Sequence, residues 1–459
     1  MKRNWAVRAA AGVGLVLLSA CSSSSGSSGT SGDNGAQNCG QATSVPSADQ
    51  SKHVTLKFWM LPFLTGPTGS GKGKPTDWGN AVIKDFEKAH PNVTVDQEML
   101  SYAGYNQKIQ TALAAGSPPD VVMAVGSLGG IQQYARLHVL EPIGCFVTAA
   151  DKSDFTETAK GSMEYSGMQY MWPWEDLVSG LAVNTDVFKD ANAMDLLPLT
   201  RPHLDWTFDQ FKQAAEKVSD PPNRYAFEVH GKDGTFYDYL WGINAGGTLV
   251  NDDFTKFTGD NDSKFADGLQ FLASLPKENL APGGAAGLSF GDAYNLFLQQ
   301  KIVMFPTFGI TSTLSDIKDS GKPFNVAVVG TPHAAGVEPH AWTNASGFMV
   351  FKQSDPYKRA MAMDFARTLT NTENNRIVAK AKEVFPARKS AEDAIASDKN
   401  LDPFRKLQAT EDTHFPQVYG LLTTSQWDSN FQSILTGTMS PKDAVKALRD
   451  PLTQALQPR

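Results

Sequence analysis

Between Val54 and Val125 the apolar residues switch repeatedly between two periods, and this alternation limits what the chain can fold into. Val54-Thr55-Leu56-Lys57-Phe58 alternates with the period of a strand. A loop rich in glycine and proline follows. Asp77 then stands where a helix would be capped, Val82, Ile83, Phe86 and Ala89 recur at helical spacing, and Pro91 lies just past the end. Val93-Thr94-Val95 reads as a second strand. Tyr105, Ile109, Ala112 and Leu113 mark a second helix, stopped by Gly116 and the Pro118-Pro119 pair, and Asp120 to Val125 reads as a buried strand. Strands and helices in this order bury their apolar faces when helices cover a parallel sheet, so the class is α/β.

The alternation resumes downstream. Gly180 to Asn184, Lys301 to Phe305, Asn325 to Val329 and Gly347 to Phe351 read as short strands. Thr207-Phe208-Asp209-Gln210 is a capping box that opens a helix striped with Phe208, Phe211, Ala215 and Val218. Asp355-Pro356 opens another, with Tyr357, Met361, Phe365 and Leu369 on one face. Of the 459 residues, about 410 belong to this patterned part, more than one core supports, so two lobes are expected.

The first fifty residues read differently. Lys2, Arg3 and Arg8 precede a short apolar run, Ala9 to Leu18, that ends in Leu18-Ser19-Ala20-Cys21. This resembles a lipoprotein processing signal over residues 1–20, with a thiol at Cys21 to take lipid. The Ser/Gly-rich stretch from Ser22 cannot bury a core and reads, through residue 52, as a flexible tether. Cys39 and Cys145 then remain as an even pair in an oxidising compartment, where a disulfide is expected. Closing so long a loop stabilises a fold by about 4–5 kcal/mol in the chain-entropy model. Removal of the three basic residues at the N-terminus takes the formal charge from −7 to −10, which argues against nucleic acid and against electrostatic capture by anionic lipid. The membrane would be met through the lipid anchor only.

Several segments, in one order, resemble the family 1 extracellular solute-binding proteins of the maltose-binding type. They are Phe86-Glu87-Lys88-Ala89-His90-Pro91-Asn92-Val93; Tyr105-Asn106-Gln107-Lys108-Ile109 followed by Ala112 to Val121; Leu140-Glu141-Pro142-Ile143; Gly167 to Trp174; Gly180 to Lys189; Trp206 to Phe211; Ala245-Gly246-Gly247-Thr248-Leu249; and Ser346 to Phe351. The long Gly66–Lys74 loop departs from the family, as does Met168-Gln169, where a Gly-Lys pair is common. The resemblance implies the two-lobed periplasmic-binding-protein fold of type II, each lobe a sheet flanked by helices, joined by hinge strands. By analogy the first lobe takes 53–172 and 302–344, and the second 173–301 and 345–459. It also implies a monomer on the extracytoplasmic face of the membrane that hands its ligand to an ABC permease driven by a separate ATPase.

Sugars have apolar C–H faces and hydroxyl-rich edges, so aromatic rings with a few polar groups beside them suit a carbohydrate ligand. Ligands of open α/β sheets sit at the carboxyl ends of strands. That rule selects Trp59, Ser127 and Phe308. Trp172 and Trp174 frame Pro173 beside the implied hinge, and Glu175 follows them with a carboxylate able to take two hydroxyls. Trp241 stands where the family often offers an aromatic, and Trp342 and Asn344 lie at the implied return crossing. Trp78, Trp206, Trp427, Phe271 and Tyr294 fall in helical patterns and read as structural.

Other chemistry is thin. Gly66 to Gly73 nearly spells a phosphate-binding loop, but Gly73 stands where Ser or Thr must hold magnesium. The eight histidines form no ligand pair, so neither a metal nor a cofactor is expected. Glu175 and Asp176 are adjacent on an extended segment and point opposite ways, unlike a glycosidase pair. Two alternatives stay open: a receptor for a phosphorylated solute such as glycerol phosphate, using Lys72 or Lys74, and a surface enzyme acting on glycans.

Overall fold

The computed structural model describes residues 52–69, 72–101, 104–125, 131–232, 236–412, 418 and 424–457. The processing signal, Cys21, the Ser/Gly-rich stretch, Cys39 and Ser127 lie outside them. Cys145 is disulfide-bonded, to a partner beyond the described residues.

The alternating N-terminal pattern folds as its periods dictate. Strand β1 (Val54–Met60) pairs in parallel with β2 (Val93–Met99) and with β3 (Val121–Ala124). The helix Asp77–Ala89 buries Trp78, Val82, Ile83 and Phe86. Its cap position is Thr76, and Asp77 instead accepts a 2.7 Å hydrogen bond from the Lys74 amide, closing the preceding loop. A tight hairpin, β4 (Glu164–Tyr165) and β5 (Met168–Gln169), turns through Ser166 and Gly167 at φ 51° and 74°, the left-handed pair that suits strand twist.

Two long strands link the cores. These are β6 (Met171–Val178), which leads straight into β7 (Gly180–Asn184), and β11 (Ala341–Val350), which returns; β8 (Tyr225–Phe227), β9 (Ile302–Thr307) and β10 (Val326–Val329) lie between them in sequence. With β12 (Phe385–Pro386) on the edge beside β6, the first sheet runs β12-β6-β11-β3-β1-β2, and β13 (Glu411–Asp412) adds to β11. The second sheet runs β10-β7-β9-β8 and is mixed: β8 and β9 are parallel, while β7 is antiparallel to both β9 and β10. The β6–β11 register shifts between Ser346 and Gly347. A Cβ on Gly347 would lie 2.1 Å from the Trp172 carbonyl oxygen, so this close approach requires glycine.

The first core packs Phe58, Trp78, Phe86, Trp172, Trp174, Phe348 and Phe365 around the larger sheet. The second sheet is covered on both faces. Leu181, Val183 and Val303 face Trp206, Phe211, Trp241 and Phe265, whereas Ala182 and Phe305 face Phe297, Phe324 and Leu407. Along β6 the side chains pass from the first core at Trp172 and Trp174 to the second body at Val178, and β11 passes the other way, from Trp342 to Phe348.

Two stretches sit differently from the expectation by analogy. Residues 302–329, expected with the first lobe, supply β9 and β10 to the second sheet, because Ile302–Thr307 pairs with β7 and β8. The helix Pro356–Leu369, expected with the second, buries Tyr357, Met361, Phe365 and Leu369 in the first core. Its cap is as the sequence indicates, with Asp355 accepting from the amides of Tyr357 and Lys358. The C-terminal helices pack Trp427, Phe431, Val445 and Leu452 into the second core.

Candidate functional site

A cavity of about 340 Å³ opens where the two bodies meet. One side is formed by Phe63, in the loop beyond β1, and by Lys382 and Val384, just before β12. The other is formed by Phe290 and Tyr294 of the helix Phe290–Leu298, by Phe305 to Gly309 at the end of β9, and by Thr313 and Asp316 of the helix Thr311–Asp319. Leu177 on β6 lies between. The cavity therefore sits at the carboxyl ends of β1 and β9, as the strand-end rule anticipates.

The lining is chiefly apolar, and five of its described residues are aromatic. Phe305 contacts Phe290 and Tyr294 with ring centres 5.0 and 5.2 Å apart. Phe308 is held by Tyr237, stacked at 4.8 Å, and by Trp342, edge-on at 4.4 Å. The polar groups are few and ordered. Tyr294 donates a 2.7 Å hydrogen bond to Asp316, and Thr307 donates one of 2.6 Å to the Gly309 carbonyl. Burial, and then the Asp316 carboxylate, hold the Tyr294 phenol well above the usual tyrosine value, so it stays a donor. The Lys382 ammonium rests 5.0 Å from the centre of the Phe63 ring. Protein packed around it pulls it below the usual lysine value, and Glu175 opposes that pull. Asp316 is the sole carboxylate, and Lys382 the sole cation, on the cavity wall among the described residues. Rings that can stack on an apolar face thus stand beside one cation and one carboxylate from opposite sides.

Of the residues expected at the site, Phe308 lines this cavity and Trp342 packs directly behind it. The others lie elsewhere. Trp172 and Trp174 are fully buried in the first core; Trp174 stacks on Trp78 at 4.7 Å and donates to the Asn374 carbonyl. Trp241 lies in the second core between Phe208, Phe211 and Phe271. Trp59 is 9% exposed beneath the Lys108 ammonium, and Asn344 is buried opposite Leu177 on the β6–β11 pair. Glu175 has no exposed surface, and neither carboxylate oxygen has a partner of full hydrogen-bond geometry, the Ser346 hydroxyl standing opposite. Burial pushes it up to about 7, against the pull of Ser346 opposite and of Lys382. Lys72 and Lys74 do not line the cavity; their loop folds back so that Gly69 touches Ile377 and Ala381.

Phe63, Phe290, Tyr294, Phe305, Asp316 and Lys382 were not anticipated. One signal was available: Phe290 and Tyr294 are four residues apart on one helix face, and Phe305 ends a strand beside them.

Two bodies joined by crossing strands, with a ring-lined cavity between them, define a two-lobed binding protein. Residues 81–403 match the family described as bacterial extracellular solute-binding protein, and the chain belongs to that family. It is 23% identical over 423 residues to the diacetylchitobiose binding protein DasA of Streptomyces coelicolor, covering 89% of this chain and 91% of that one. Among solved structures it resembles a chitin oligosaccharide binding protein, with a TM-score of 0.68 at 18% identity over 88% of this chain and 99% of that one. It also resembles an ABC substrate-binding protein from Listeria monocytogenes in complex with cycloalternan, with a TM-score of 0.66 at 21% identity and the same coverage of both chains. No helix of the described residues is long and apolar enough to cross a membrane.

Proposed function

We propose that this chain is the substrate-binding protein of an ABC importer and captures a sugar or short oligosaccharide in the cavity between its lobes. The lobes are the two sheets with their helices, and closure about β6 and β11 traps the ligand and presents it to the permease. The observation that carries this reading is the aromatic cavity itself. Phe63, Phe290, Tyr294 and Phe308 offer apolar faces for C–H surfaces, with the buried Phe305 behind Phe290 and Tyr294, and Lys382, Asp316 and the two threonines can meet hydroxyls. A volume of about 340 Å³ falls within the usual range of small-ligand sites. The ligands named for the three similar proteins are all glycans, which supports the same class here.

Binding without bond cleavage is part of the proposal. Glycoside hydrolysis requires two carboxyl groups across the scissile bond, and Asp316 has no such mate on the cavity wall among the described residues. We further propose that Cys21 carries a lipid anchor on the extracytoplasmic side and that the protein works as a monomer.

The test is a thermal-shift screen with diacetylchitobiose, chitin oligosaccharides, cycloalternan, simple sugars and glycerol phosphate. A ligand that binds only the native state stabilises it by about 2.7 kcal/mol at a hundredfold excess over Kd. A glycan is expected to raise the melting point. A shift with glycerol phosphate and with no glycan would replace the carbohydrate reading by the phosphorylated-solute one.

A further inference from the structure

Two residues before Leu177 of the cavity wall, β6 carries a buried acid. Glu175 sits on β6, the strand that joins the two bodies, with no exposed surface; the Ser346 hydroxyl opposite pulls on it, but neither oxygen has a partner of full hydrogen-bond geometry. Unpaired buried carboxylates are costly, so such a group normally has a partner in some state of the molecule. The candidate is Lys382. It ends the helix Thr372–Lys382, which packs on β6, and its ammonium reaches over Phe63 into the cavity without contacting Glu175.

Among the described residues, Lys382 is the cation that acts on the acid. Ser346 faces it from β11, and β12 presents Phe385 and Pro386. Asp176, next along β6, accepts from the Thr156 hydroxyl on the opposite face, and burial together with the neighbouring Glu175, Glu411 and Glu392 carboxyls holds it well above the usual carboxylate range, so it too favours its proton. On the helices packed on β6, Lys160 pairs with Glu157, Lys358 with Asp120, Asp364 with His90, Arg367 with Asp151, Arg376 with Asp393 and Arg405 with Asp402; Arg359, Lys380 and Lys406 also stand on these helices. Only Ser346 and Lys382 pull against the burial of Glu175.

We propose that Glu175 and Lys382 form a proton-governed switch in the binding site: Lys382 donates to a ligand hydroxyl while Glu175 is protonated, and turns back toward Glu175 when that acid ionises. Glu175 is thus a positioning residue and Lys382 the ligand contact. The inference rests on the reading of the cavity as the ligand site. Binding then favours the protonated form of Glu175, and affinity falls as pH rises through its titration near neutrality.

The experiment is isothermal titration of wild type, E175Q and K382M at about pH 5.5 and about pH 8.5, with whichever glycan gives the largest thermal shift. Wild type is expected to bind about tenfold more tightly at the lower pH, the worth of one charge-assisted hydrogen bond. E175Q is expected to bind tightly at both, and K382M weakly at both. Equal wild-type affinity at the two pH values, or a pH dependence that survives in E175Q, would overturn the switch. A ligand-free arm follows the Glu175 carboxyl by NMR, identified by its loss in E175Q. Its midpoint should rise in K382M, which removes the cation that stabilises the ionised form, and an unchanged midpoint also overturns the proposal. No glycan binding at either pH, with that rise present, would sink the carbohydrate reading and leave the Glu175–Lys382 coupling supported.

Discussion

The first core and the cavity both hold clusters of aromatic side chains, yet the rings are packed differently. In the first core Trp174 is sandwiched between Trp78 and Phe63, with Phe348 beside it, and has no exposed surface. In the cavity Phe308 is backed by Tyr237 and Trp342 on one side and opens to the space between the lobes on the other. Ring type does not separate the two sets. What separates them is whether both faces of a ring already have partners. Phe63 touches both regions, tilted against Trp174 with ring centres 5.7 Å apart and lining the cavity as well.

The sharpest way to break this contrast is Trp174→Ala. Truncating a fully buried ring should destabilise the protein by about 3–5 kcal/mol in chemical denaturation while leaving ligand affinity near normal in the folded fraction. Strong loss of affinity with little loss of stability would move Trp174 into the site. Next comes Glu175, whose carboxyl is raised by burial from its ordinary value of 4.5 to about 7. The folded state holds this proton more tightly than the unfolded chain. Stability is therefore fully present below about pH 4.5 and is lost as pH rises toward about 7, by about 3 kcal/mol in all. Glu175→Gln should remove that fall, as read from melting points across the range. Phe308→Ala should reverse the pattern of Trp174→Ala, lowering affinity about tenfold or more for about 1–2 kcal/mol of stability. Smallest of all, Thr207→Ala removes the hydroxyl that accepts from the Gln210 amide, remote from the cavity. It should cost about 1 kcal/mol of stability and no affinity.

How far the sequence reached follows the same line. Periodicity located β1, β2, β3, β7, β9, β10 and the second half of β11, because each has an apolar face that must be covered. It could not assign strands to sheets. Ile302–Thr307 is buried along its whole length, so nothing in its pattern says which edge it joins. At the site, the strand-end rule reached Phe308 because position along a strand is local information. Trp172, Trp174 and Trp241 were chosen for ring size and nearness to the hinge. Whether a ring faces a cavity or another ring depends on helices distant in sequence, such as Asp77–Ala89 behind Trp174. Lys382 carried no signal, since a lysine at a helix C-terminus is ordinary surface chemistry.

Hydrogen exchange read by mass spectrometry, with and without the glycan that gives the largest thermal shift, puts the cavity itself on trial. The account predicts slowed exchange at Phe63, across residues 307–309 and around Lys382 to Val384, with the strand around Trp172 unchanged. Protection confined to other surfaces, with these three segments unaffected by a saturating ligand, would contradict it.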